Sequence, residues 1–195
     1  MPEAVRTYAF DACAAGAENS TVVAPGVTIA ERRPRSMLNV RGDPADAGLA
    51  SALRESFNVT LPLEPNTVTA AGATRALWLG PDEWLLVSER HALQPPASPG
   101  RGTLTDLSHG RAVLRLSGPD VRAVLAKGCG LDLHPREFPV DRCAQTAIAK
   151  VSVILDHVQP DVFDLYCPRS YARSFWGWVT EACAEYGCRI APPAS

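Results

Sequence analysis

The sequence predicts an α+β fold: two β-α-β-β-like lobes, with helices packed on mainly antiparallel sheet. Three observations lead there. Leu77-Trp78-Leu79-Gly80-Pro81-Asp82-Glu83-Trp84-Leu85-Leu86-Val87 reads as strand, tight turn, strand, because two runs rich in Leu, Trp and Val flank a Gly-Pro-Asp-Glu turn. The order strand, helix, hairpin occurs once before the breaker-rich segment Gln94-Pro95-Pro96-Ala97-Ser98-Pro99-Gly100 and once after it. A chain of 195 residues, 46% hydrophobic and 21% charged, has the size and composition to bury a substantial core. These readings divide the chain into an N-terminal arm (1–20), a first α+β lobe (21–93), a linker (94–102) and a second α+β lobe (103–195), the lobes forming one compact unit.

The arm is Ala-rich with weak periodicity, a segment that stays loose or orders against a partner. Short β-prone runs follow from Val22 to Arg35, and Ser36 to Arg41 reads as a strand. Asp43 suits an N-cap, Pro44 the first helical position and Asp46 a capping carboxylate. Ala45, Leu49, Ala52, Leu53 and Phe57 continue at helical spacing to about Phe57. Pro62 and Pro65 exclude regular structure from the stretch that leads to the hairpin. In the second half Ala112 to Leu116 is a strand, and Ser117-Gly118-Pro119-Asp120 opens a helix that Gly128 stops. Thr146 to Leu155 reads as one long strand, Gln159-Pro160-Asp161 as a turn, and Val162 to Cys167 as its partner. Ser170 caps a last helix that buries Phe175, Trp176, Val179 and Cys183 and ends at Gly187.

With Gly80 to Glu83 as the loop, Leu79 lies opposite Trp84 and Trp78 opposite Leu85. One face then carries Leu77, Leu79, Trp84 and Leu86, and the other Ala76, Trp78, Leu85 and Val87. A surface hairpin would alternate apolar with polar; this one needs two covers. Either the chain's own helices and loops supply both, or a second protein supplies one, and then Trp78 and Trp84 are interface candidates. Trp178 is a third candidate, because it projects away from Trp176 on the last helix.

Several function classes fall away on composition. A net charge of −2 carries no signature of a nucleic-acid or membrane-surface partner. Only Lys127 and Lys150 are lysines, so nearly all the positive charge is arginine; arginine suits planar pairing and interfaces, but in an Ala-rich chain genomic base composition is the better account. The six cysteines include no C-x-x-C and read as free thiols of a cytoplasmic protein. Neither a secretory signal nor a run of transmembrane length is expected.

Residue types of a hydrolase triad occur in Asp106-Leu107-Ser108-His109, but neighbours on an extended chain point to opposite faces, so Ser108 and His109 do not pair. The Ser117 to Asp120 turn offers backbone N–H groups to an anion, with Asp120 already at that positive end. Neither G-x-G-x-x-G nor G-x-x-x-x-G-K is present, so the chain is not expected to hold FAD, NAD or ATP. His91, His109, His134 and His157 are isolated and make no metal motif. No residue is expected to be catalytic, to bind a cofactor or to ligate a metal.

The segments SMLNVRG (36–42), LPLEPNT (61–67), LWLGPDEWLL (77–86), TDLSHGRAVLRLSGPD (105–120), LAKGCGLDLHP (125–135) and RSYARSFWGW (169–178) resemble the gamma-subunit family of heterotetrameric sarcosine oxidase. DLSHGRAVLRLSGPDVRAVL is also similar to the folate-binding fold of the glycine-cleavage T-protein superfamily. There a catalytic Asp follows the helix, and Asp132 lies in a similar place, behind an atypical Cys129-Gly130-Leu131. The resemblance implies a complex that oxidatively demethylates sarcosine to glycine, with FAD, FMN, NAD, tetrahydrofolate and zinc on other subunits. It further implies that this chain packs directly on the alpha subunit, beside beta and delta subunits, and stabilises the complex without catalysing. Two alternatives stand beside it. One is a folate-binding or aminomethyltransferase-like protein; the other is the equivalent subunit of a related N-methyl amino acid dehydrogenase.

Overall fold

In the computed structural model, which describes residues 8–14 and 24–193, the strands fall into two sheets. In chain order the elements are α1 (Asp11–Ala14), β1 (Val27–Arg32), β2 (Ser36–Arg41), α2 (Ala47–Phe57), β3 (Val68–Ala71), β4 (Thr74–Gly80), β5 (Glu83–Ser88), β6 (Thr103–Asp106) and β7 (Arg111–Ser117). Then follow α3 (Val121–Ala126), β8 (Cys143–Ile148), β9 (Val151–Gln159), β10 (Val162–Pro168), α4 (Ala172–Cys183) and β11 (Cys188–Ile190). One sheet runs β3-β4-β5-β2-β6, the other β11-β1-β7-β10-β9-β8. The ladders are antiparallel except for the β1–β11 pair, so this is the α+β class the sequence predicts.

Three apolar layers hold the sheets and helices together. Leu49, Leu53 and Phe57 of α2 pack on Leu38, Val40, Ala76, Trp84 and Leu86, the outer face of the first sheet. The inner faces of the two sheets meet through Met37, Leu77, Leu85, Val87, Val113, Ile154 and Tyr166. Leu114, Leu116, Val153, Leu155, Phe163 and Leu165 of the second sheet pack on α3 and α4. The period-two alternation of each strand thus feeds two different cores, which is why the strands read as apolar on both faces.

The two halves correspond element by element. β1-β2-α2-β3-β4-β5 repeats as β6-β7-α3-β8-β9-β10, and each sheet carries the third, fourth, fifth and second strands of its own half in that order. The first strands are exchanged: β6 completes the first sheet and β1 joins the second. The linker at 94–102 therefore does not separate two self-contained lobes, because each sheet needs a strand from across it. Both hairpins turn through Pro-Asp, and each has a bulged residue at the same offset, Leu79 before Gly80 and Val158 before Gln159.

That bulge corrects the expected register. Gly80 pairs with Glu83 across a two-residue Pro81-Asp82 turn, so Trp78 lies opposite Trp84 and Leu77 opposite Leu85. A one-residue slip moves each side chain of one strand to the other face. The real faces are Leu77, Leu79, Leu85 and Val87 toward the second sheet, and Ala76, Trp84 and Leu86 toward α2. Both covers come from the chain itself.

Other expectations shift for local reasons. α2 begins three residues late, because Asp43 spends its carboxylate on an Asx turn to Ala45 N–H while Asp46 is the N-cap, accepting from Gly48 N–H at 2.9 Å. The single long strand through Thr146 to Leu155 is two strands of a hairpin. Ala149 and Lys150 both take positive φ (50° and 68°), the geometry of a two-residue primed turn, without the Gly or Asn that advertises one. Asp120 precedes α3 but makes no side-chain capping bond. The arm at 1–20 is described only at 8–14, where Phe10 is buried against Trp176 with ring centroids 5.7 Å apart. That part is anchored on the chain's own α4.

Candidate functional site

The catalytic-looking residues are engaged in holding the fold. Ser108 is buried and its Oγ accepts the Met37 N–H at 2.9 Å, tying the turn after β6 to β2. Its own N–H donates to Asp106 Oδ1 at 2.8 Å, an Asx turn. His109 is exposed at the tip. At the α3 start, the Gly118 N–H donates to Asp161 O and the Asp120 N–H to Gly26 O, so the chain itself occupies the amides an anion would use. Asp132 is exposed and accepts the His134 N–H at 2.8 Å, which makes it another Asx-turn residue. His157 is buried and stacks on Phe163 with ring centroids 4.4 Å apart, and Phe138 packs beside both rings. Its Nδ1 lies 3.0 Å from Phe138 O and its Nε2 3.3 Å from Arg122 Nη2. Among the described residues no three His, Cys, Asp or Glu side chains come together in a metal-ligating group. Burial pushes the Cys143 thiol up to about 12 and Cys167 to about 11, which leaves both unreactive.

Between the sheets lies a seam of charge that sequence reading missed. Arg75 on β4 forks onto Asp156 on β9, Nε and Nη2 lying 2.9 and 2.8 Å from the two carboxylate oxygens. Arg115 on β7 makes the same fork with Asp164 on β10, both bonds 2.7 Å. Asp156 and Asp164 are cross-strand neighbours, so the two forks lie side by side over the buried Tyr166. Complete burial pushes the Asp156 carboxyl up to about 6, against the pull of Arg75. The Arg75 fork crosses from one sheet to the other and fixes their relative position. The available signal was a single aspartate inside each of two apolar strands, Ile154-Leu155-Asp156 and Phe163-Asp164-Leu165.

The interface candidates separate clearly. Trp84 is wholly buried and its indole N–H donates to Pro62 O at 2.8 Å, so it belongs to the core. Trp78 is half-buried at the edge where two apolar layers meet. Trp178 is half-buried too; its ring lies on the α-carbon of Gly128 and stacks on Phe175 at 6.2 Å. More exposed apolar surface lies elsewhere. A groove of about 200 Å³ beside α2, lined by Leu49, Leu53, Val59, Leu61 and Leu63, has Leu63 two-thirds exposed at its rim. No helix among the described residues is long and apolar enough to cross a membrane.

These features make a chain rich in structural pairing and in surface, with no assembled nucleophile, base or metal set among the described residues. Comparison with known proteins gives the same picture a context. The sarcosine oxidase, gamma subunit family model matches residues 41–185. The chain is 35% identical over 166 residues to sarcosine oxidase subunit gamma of Corynebacterium sp. (strain U-96), spanning 82% of this chain and 80% of that one. It is 39% identical over 145 residues to the gamma subunit of an Arthrobacter species, 71% of this chain and 70% of that one. Among solved structures it is similar to a chain of the heterotetrameric sarcosine oxidase from Corynebacterium sp. U-96 in complex with pyrrole 2-carboxylate. That match has a TM-score of 0.82 at 33% identity and covers 93% of this chain and 96% of the other. The glycine cleavage system aminomethyltransferase T from Bartonella henselae shares the fold, with a TM-score of 0.58 at 14% identity over 87% of this chain and 48% of that one.

Proposed function

The chain belongs to the sarcosine oxidase gamma subunit family, and on that premise we propose that it is a non-catalytic subunit of a heterotetrameric sarcosine oxidase. It stabilises the complex by packing on the alpha subunit, beside beta and delta subunits, in the cytoplasm. The complex oxidatively demethylates sarcosine to glycine, and FAD, FMN, NAD, tetrahydrofolate and zinc sit on the other subunits. The observation that carries this reading is the structural match over nearly the full length of both chains. The geometry is in keeping with it. Ser108, Asp106 and Asp132, the residues most suggestive of chemistry, spend their polar atoms on local turns and on β2.

The test is co-expression with the alpha, beta and delta subunits, the alpha subunit carrying an affinity tag. The chain is expected to elute with the tagged subunit in equal proportion. Purified alone, it is expected to be colourless after desalting and to consume no oxygen with sarcosine. Retained flavin colour in the lone chain, or a tagged complex that assembles fully without it, would overturn the proposal.

A further inference from the structure

Arg111 opens β7, opposite Pro168 at the end of β10. Its guanidinium is partly buried, and its Nε is a buried side-chain nitrogen with no hydrogen-bond partner among the described residues. Its situation differs from that of other partly or wholly buried arginines. Arg32, Arg33, Arg75, Arg115, Arg122 and Arg142 each hold a carboxylate; among the described residues Arg111 pairs with none. Glu83 is the carboxylate whose charge reaches it, and Glu83 already accepts from Asn39 and Arg41 at 2.8 Å each. Burial without a counter-charge holds the Arg111 pKa below its ordinary value. A charge left in this state is costly unless something outside the chain completes it.

What completes it is limited by space. The cavity beside the guanidinium is about 20 Å³, and its lining includes Tyr8, Glu31, Arg33, Ser108, Arg111 and Arg169. That is room for about one water-sized group, too little to enclose a phosphate or another free oxyanion with its hydration. A carboxylate carried on a side chain needs to place only one oxygen there, with the rest of the group outside. Four arginines line it, Arg32, Arg33, Arg111 and Arg169, against one carboxylate, Glu31, which Arg33 already holds; that excess of positive charge favours an acid over a neutral group.

We propose that Arg111 receives an Asp or Glu side chain of a partner subunit, forming an interfacial ion pair that the described residues do not supply. The inference rests on the gamma-subunit role proposed above and adds to it a specific contact. It places one docking surface at the end of the second sheet where β7 begins, near the N-terminal residues that pack on α4.

The experiment compares wild type with Arg111→Gln and Arg111→Lys, added to a gamma-free complex captured by its tagged alpha subunit. Association and the salt concentration that releases the chain are measured, together with melting of each isolated chain. Arg111→Gln is expected to weaken association at least tenfold and Arg111→Lys less. The isolated Arg111→Gln chain is expected to melt at or slightly above the wild-type temperature, because an unpaired buried charge has gone. Wild-type association by Arg111→Gln would mean that the cavity holds only water and would overturn the proposal. Stabilisation of the isolated wild type, but not of Arg111→Gln, by sodium acetate at constant ionic strength would show a free-anion site and overturn it as well. Arg111→Met, similar in length and apolar, takes the same measurements if the Gln variant fails to fold. A wild-type chain that never joins the complex would count against the gamma-subunit role itself.

Discussion

Trp84→Ala is the perturbation whose effect the structure fixes most narrowly. The side chain is wholly buried among Leu38, Val40, Leu53 and Leu86, and its indole N–H ties Pro62 O to the sheet. Truncating a buried aromatic costs roughly 3–5 kcal/mol, and the orphaned carbonyl keeps the loss near the upper half of that range. Against a total stability of about 5–15 kcal/mol, about 4 kcal/mol is a large share. With a urea slope of about 2 kcal/mol per molar, the unfolding midpoint drops by about 2 M. Trp84→Phe retains most of the apolar contact and loses the N–H, so about 1–2 kcal/mol and less than 1 M are expected. Trp78→Ala, at a half-buried edge position, should fall nearer the Phe variant than the Ala one. Far-UV circular dichroism of the full isolated chain in urea reads all three. If Trp84→Ala unfolds like wild type while failing to join the complex, Trp84 faces a partner and the internal cover described above is wrong.

Three other changes probe different parts of the molecule. Asp156, raised to about 6 by burial from an unfolded value of about 3.9, binds its proton more tightly in the folded state. Its contribution is therefore complete below about pH 4 and is lost as pH rises through 6. The stability advantage of wild type over Asp156→Asn should shrink between pH 4 and pH 7.5, by on the order of 2–3 kcal/mol; urea melts showing a constant or growing advantage would contradict this. Asp132→Ala removes an exposed Asx-turn residue, so assembly and methylene-folate yield of the whole complex should be unchanged; a lower yield from an intact complex would give this chain a folate role. Replacing Ala149-Lys150 by Asn-Gly matches the positive φ of both positions, and should raise stability by roughly 0.5–1 kcal/mol in thermal melts, with a loss counting against the primed turn.

Much of the fold was legible because strand periodicity and turn chemistry are local. The Pro-Asp turns, the apolar faces of α2 and α4, and the α+β class all follow from short windows of sequence. The hairpin faces did not, because the two-residue Pro81-Asp82 turn and the bulge at Leu79 are set by pairing with β5, and a one-residue error reassigns Trp84 from one layer to another. Ala149-Lys150 escaped notice since neither residue signals positive φ. Phe10 lies in an Ala-rich segment without periodicity, where a single anchor leaves no pattern. The charge seam and the setting of Arg111 depend on which side chains meet across the sheets. No spacing rule predicts that Arg75 finds Asp156, 81 residues away.

The exchange of β1 and β6 has a consequence for how such a chain is made. β1 leaves the ribosome about 80 residues before β7, its neighbour in the finished sheet. At about 5–20 residues per second this is a wait of roughly 4–16 seconds. Throughout it β2 also lacks β6, so the nascent first half offers an open strand edge to any other chain nearby. Neither half can be stored as a finished intermediate, and a fragment cut at residues 94–102 would keep that edge permanently. Biogenesis of this protein should therefore lean on holding factors until the second half emerges, and supply of the chain should track translation of its C-terminal half.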